Sequence, residues 1–241
     1  MTIQDIHNVI LFYLNKEQNG HITHEEIDLV LDRAQMALFD DYYNNPKWNR
    51  QNQQVPMVGY GESQRLNDAL SPFKATYTFT NSDSSGGVIT LPANYMYLLS
   101  LQTTRYSNTL SRNVMNAVTV LNEEELIYRL ESQVVPVTLD GPICIMNNSN
   151  QIQLFPDTAQ AGKVYYFRRP AVPKFGYTQS GRVITYNPTQ YSSSVLTGSQ
   201  QLEWRESDLN NLINKALSYY GLNLNSPDVA QFAQLKTQEG Q

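Results

Sequence analysis

The chain has 241 residues, a formal net charge of −5 and a sequence pI near 5.2, with one cysteine, Cys144. That balance excludes a basic surface for gripping phosphates, and a lone cysteine excludes an intrachain disulfide or a multi-cysteine zinc site. Asn and Gln fill 43 positions and Tyr 16, so the chain is polar and aromatic rather than charged, yet its apolar residues are too evenly spread for a disordered polymer. No apolar run approaches the ~18 residues of a membrane span, and the start MTIQDIHNVILFYL lacks the basic region of a secretory leader.

Ile3, Ile6, Val9, Ile10, Tyr13 and Leu14 recur at helical spacing and predict an amphipathic first helix. Asn19-Gly20 breaks it. Thr23 with Glu26 three residues on is a capping box, which opens a second helix on Ile27, Val30, Leu31, Ala34, Leu38 and Phe39. That helix is expected to end near Asn44-Asn45-Pro46. Residues 47–72 read as an extended polar loop with a short helix around 62–70, and a loop of that length inside a domain is usually functional.

Strands are then expected at 75–80, 88–91, 97–106, 114–121, 143–146, 152–155, 164–168 and 182–186. The Asp83–Gly87 turn is expected to make the first two a hairpin. One helix interrupts the strands, with Asn122 as cap, Glu125 at its third position and Leu126, Ile127 and Leu130 facing inward. Helix returns with Ser207 as cap, an apolar stripe of Leu209, Leu212, Ile213, Ala216, Leu217 and Tyr220, and Gly221 as terminator. Ser226-Pro227 opens a last helix carrying Val229, Phe232, Ala233 and Leu235. The fold class is α+β: helical hairpins at both termini packed with a central antiparallel β domain. Its expected parts are a hairpin at 1–46, the loop at 47–72, a β-rich domain at 73–202 with one inserted helix, and a C-terminal helical pair at 203–241 packing with the N-terminal helices.

Four patterns invite a chemical reading. Asn15 to Glu26 lays oxygen-bearing residues on positions 1, 3, 5, 9 and 12 of an EF-hand loop, with Gly20 at position 6. Asn15 stands where Asp is usual, and only Glu17 and Glu26 would bring charge. The same residues make a helical hairpin, with Asn-Gly for the turn and the capping box for the next helix, and that is the preferred reading. His7, His21 and His24 are the only histidines; they have no HExxH spacing and are expected to be solvent-facing. Glu123-Glu124-Glu125 follow a capping Asn and complement the helix dipole rather than form a catalytic acid pair. Lys163, Arg168, Arg169 and Lys174 form a small basic cluster, expected as a solvated or salt-bridged edge. Gly59-Tyr60-Gly61 and Gly86-Gly87 lack the surroundings of a phosphate loop. The expectation is therefore no catalytic residue, no cofactor and no metal.

Four stretches carry a resemblance: 14–43 (LNKEQNGHITHEEIDLVLDRAQMALFDDYY), 86–101 (GGVITLPANYMYLLSL), 163–193 (KVYYFRRPAVPKFGYTQSGRVITYNPTQYSS) and 202–241, beginning LEWRESDLNNLINKALSYYGL. Together they resemble the head-to-tail connector or ring proteins of short-tailed bacteriophages, most closely the crAss-like phages of gut Bacteroidota. Residues 47–72 match nothing in that resemblance. It implies a non-enzymatic virion protein of the head–tail neck or tail, made in the host cytoplasm. Such proteins form closed rings, usually of twelve copies, that contact the portal and neighbouring tail proteins. Double-stranded DNA passes through the lumen without specific binding, and no membrane is involved. A negative charge suits a channel in which DNA must slide. Two other classes stay open: a calcium-dependent binding module built on loop 15–26, and a carbohydrate-binding β-sandwich of a tail structure using the Tyr-rich stretches 95–106, 165–177 and 186–191.

Overall fold

The computed structural model describes residues 1–16, 22–44, 67–107, 111–148, 150–158, 160–181 and 183–223. The fold is mixed α+β. The chain divides into two compact units, a helical one from 1–72 and 170–241 and a β unit from 73–169. Residues 170–202, grouped with the β-rich domain on sequence, fall in the helical unit.

In the helical unit, α1 runs Ile3–Lys16 and α2 runs His24–Tyr43. Ile3, Ile6, Ile10 and Leu14 are buried on α1, and Ile27, Leu31, Ala34, Leu38 and Phe39 on α2. Each of the Ile, Leu and Phe side chains among them contributes about 1.5–3 kcal/mol of transfer free energy. The box that starts α2 is formed as expected: the Thr23 N–H donates to Glu26 Oε2 at 2.8 Å, and the Glu26 N–H donates to Thr23 Oγ1 at 3.3 Å. The last described helix, Glu206–Asn223, packs along α2, where the Tyr42 hydroxyl donates to buried Asp208 at 2.9 Å and Lys215 pairs with Asp41. Its expected stripe from Leu209 to Tyr220 is buried throughout.

Two boundaries of this helix are corrected. It begins at Glu206 instead of after Ser207, because the Arg205 carbonyl already accepts the N–H groups of Asp208 and Leu209. It also runs through Gly221 to Asn223, since glycine allows a C-cap without compelling one. Residues 67–70 are helical, while 62–66 of the short helix expected there, and the last helix expected from Ser226, lie outside the described residues. The helical unit also holds one two-stranded hairpin, Tyr177–Ser180 with Val183–Tyr186. Its first strand was not anticipated, because Thr178, Gln179 and Ser180 show no apolar alternation.

The β unit is two four-stranded sheets over one core. Its strands are β1 (Lys74–Phe79), β2 (Val88–Thr90), β3 (Tyr95–Ser107), β4 (Arg112–Ala117), β5 (Thr119–Val120), β6 (Ile143–Asn148), β7 (Gln151–Phe155) and β8 (Ala161–Arg168). The first sheet is ordered β1-β8-β3-β4 and the second β2-β7-β6-β5. Phe79, Leu101, Val164 and Tyr166 of the first meet Ile89, Cys144, Ile152 and Leu154 of the second. Burial pushes the Cys144 thiol up to about 12, so this cysteine is core filler. Gly162 lets β3 and β8 approach: a Cβ there would stand 2.1 Å from the Gln102 carbonyl oxygen and 2.7 Å from the Phe79 ring.

The expected hairpin of the first two strands does not form. β1 pairs with β8 and β2 with β7, so the turn between them carries the chain from one sheet to the other. Gly86 and Gly87 take positive φ (68° and 73°), and buried Ser84 accepts the Gln160 N–H at 2.7 Å while its hydroxyl donates to the Gln160 carbonyl. The expected strand 114–121 is two strands, β4 and β5, broken at Val118. Strand β5 pairs with β6 in parallel, the one exception to antiparallel pairing among the described strands.

Candidate interaction surface

The inserted helix α3, Glu123–Glu131, forms for the reasons legible in its residues. Glu123, Glu124 and Glu125 occupy the first turn, where negative charge complements the helix dipole, and the Asn122 N–H donates to Glu125 Oε2 at 3.3 Å. At the other end Arg129 donates to the Val135 carbonyl at 3.0 Å, and the Val135 N–H donates to Ser132 Oγ at 3.3 Å, which shapes the loop beyond.

The inward face expected for α3 is corrected. None of its residues is buried: Ile127 is 59% exposed, Tyr128 77% and Leu130 49%. The two sheets close their core without this helix, so its apolar stripe is left without cover. Val134, 91% exposed, and half-exposed Val135 extend the patch, and Val120 adds to it from β5, the last strand of its sheet. Beside it lies an open groove of about 560 Å³, lined by Val120, Leu121, Ile145 and Met146 together with the polar Asn122, Glu123 and Glu124. Several large apolar side chains exposed on one short helix and the loop after it are the kind of surface that marks an interaction site on a folded domain. Sequence reading missed Tyr128, Val134 and Val135. The run Val134-Val135-Pro136-Val137 after a short helix was the available signal.

The expectation of solvent-facing histidines is also corrected. His7 is fully buried on α1, because it has partners that hold it there. Its Nδ1 lies 3.1 Å from His24 Nδ1, and its Nε2 lies 3.0 Å from Asp28 Oδ1. The Phe175 ring stacks on both imidazoles, at 4.6 Å from His7 and 4.2 Å from His24, and the Phe175 N–H donates to both Asp28 oxygens at 2.9–3.0 Å. Next to this stack the Tyr177 hydroxyl donates to Glu25 at 2.5 Å, holding that carboxyl below its ordinary value. Asp28 stands four residues after His24, one helical turn along the same face. That spacing was the only sequence signal for the cluster, and Phe175 had none.

Among the described residues, no group of three or more His, Cys, Asp or Glu side chains is arranged to hold a metal ion. In the loop 15–26, residues 17–21, including His21, lie outside the described residues, and the Glu26 carboxylate is taken by the capping box. In the expected basic cluster, Lys174 lies 4.3 Å from the centre of the Tyr191 ring and donates to the Leu196 carbonyl at 2.9 Å, while Lys163 and Arg168 belong to β8. No described helix is long and apolar enough to cross a membrane. No family model matches the chain, and no curated protein matches it.

Proposed function

We propose that this chain is a structural subunit of a phage neck or tail, assembling as a closed ring that joins the portal to the tail and lets genome DNA pass. The observation that best supports an assembly role is the uncovered apolar face of α3, beside its acidic first turn. A residue such as Tyr128, with a large apolar body and a polar tip, suits a site wetted in the free subunit and covered in the assembly. A head-to-tail ring needs two different patches on each subunit, and the α3 face supplies one of them. The ring, its twelvefold number and its place in the virion come from the resemblance of the four sequence stretches.

Native mass spectrometry of the full chain at tens of micromolar, in calcium-containing buffer and with and without the portal protein, tests the reading. A high-order homo-oligomer, alone or on the portal, is the expected result. Ile127→Asp should abolish it while leaving the unfolding free energy of the subunit, from urea denaturation, within about 0.5 kcal/mol, since Ile127 supports no core. A monomer that binds one calcium ion and ignores the portal would replace this reading with a calcium-binding module. Retention on a polysaccharide column without assembly would replace it with a glycan-binding sandwich.

A further inference from the structure

The histidine pair of the helical unit has a proton arithmetic that its geometry fixes. His7 Nε2 faces the Asp28 carboxylate, which only accepts, so that nitrogen carries a proton. The two Nδ1 atoms, 3.1 Å apart, form a hydrogen bond only if one carries a proton and the other a lone pair. Four ring nitrogens therefore hold at most three protons: two in the neutral pair and three with a single imidazolium. A fourth would set two N–H groups against each other across 3.1 Å, with both rings already stacked on Phe175.

We infer that His7 and His24 form a proton-limited clamp joining α1 to α2, which makes the helical unit labile in mild acid. In the unfolded chain both imidazoles charge independently below about pH 6.5, taking four protons where the native pair takes three. The state that binds more protons gains as pH falls, so acid favours the open form. One excess proton multiplies the opening constant by up to tenfold per pH unit. Among the described residues, the charged and titratable groups placed around the pair do not relieve this. From α2 come the Asp28 and Glu25 side chains, one on His7 Nε2 and the other on the Tyr177 hydroxyl, and neither supplies the missing lone pair between the two Nδ1 atoms. From the Tyr177–Ser180 strand comes Tyr177, engaged on Glu25. The Val183–Tyr186 strand brings Tyr186, whose ring lies 5.2 Å from Phe175. From the last helix comes buried Tyr220, whose hydroxyl is driven up first by burial and then by Glu26 and Asp28. Ordinary carboxylates titrate near 4, below the window in question.

The test uses the full chain. Urea unfolding of the native protein from pH 7.5 to 5 should show the unfolding constant rising towards tenfold per unit below about pH 6.5. His24→Asn keeps an amide that can donate to or accept from His7, so it should lose that excess slope. Nitrogen NMR of histidine-labelled protein gives a second readout that needs no variant at the pair, with His21→Asn used only to remove the third imidazole's signals. One Nδ1 of the pair should stay bare down to pH 5. An unchanged slope in His24→Asn, or two protonated Nδ1 atoms in the folded protein at pH 5, would overturn the clamp.

Discussion

Helix α2 starts at the Thr23–Glu26 box and buries Ile27, Leu31, Ala34, Leu38 and Phe39, whereas α3 starts at the matching Asn122–Glu125 box and buries nothing. Both have carboxylates in the first turn and an apolar stripe at helical spacing. They differ in what meets the stripe. α2 runs twenty residues against the last helix of its unit, while α3 runs nine residues outside a sheet pair whose core is already closed. A cap decides where a helix begins, and long-range packing decides whether its face is core or interface.

The largest effect that separates the two helices is a cavity. Phe39→Ala should cost about 3–5 kcal/mol by urea denaturation, as truncation of a fully buried aromatic does. In the dissociated subunit, Ile127→Ala should stay within about 0.5 kcal/mol. A cost at Ile127 near that at Phe39 in a subunit shown to be monomeric would break the comparison. The caps come next. Thr23→Ala should lower global stability by about 1 kcal/mol. Asn122→Ala should leave the urea midpoint in place and appear instead as faster amide exchange in α3, beginning with Leu126, whose N–H bonds the Asn122 carbonyl at 3.0 Å. The smallest effect concerns the first turn of α2. Tyr177→Phe removes the hydroxyl that is the main cause of the lowered Glu25 titration, so the NMR midpoint of Glu25 should rise towards the ordinary value. Because the folded value is depressed, the Tyr177 contact contributes stability above the unfolded carboxyl value of about 4.3. That contribution is lost as pH falls through the folded value.

What was legible in the sequence was local. Thr23 and Glu26 mark a helix start whatever surrounds them, and the β-rich middle is written in alternating residues from Lys74 to Phe79 and from Gln151 to Phe155. What was not legible was pairing at a distance. Lys74 faces Phe167 and Val88 faces Gln153, and nothing near the Asp83–Gly87 turn tells a hairpin from a crossing between sheets. The buried bond between Ser84 and Gln160 decides it, 76 residues apart. His7 is the same case: its helical position showed a face, but the Asp28 and Phe175 that seal that face come from other elements. On α3 the apolar stripe was legible and its exposure was not, because a periodicity names a face without naming what covers it.

The β unit is continuous, from 73 to 169, and it interrupts the helical unit, whose halves lie at 1–72 and 170–241. A ribosome therefore delivers the whole sandwich while α1 and α2 still lack the helix that seals them. Their apolar stripes, Ile6 and Ile10 on one and Leu31 and Phe39 on the other, wait through the synthesis of well over a hundred residues before Leu212, Ile213 and Ala216 emerge. Domains form as units during translation, so the sandwich is the part that can be complete first. The nascent chain then carries an unsealed helical pair for most of its time on the ribosome, which is the stretch a holding chaperone would be drawn to.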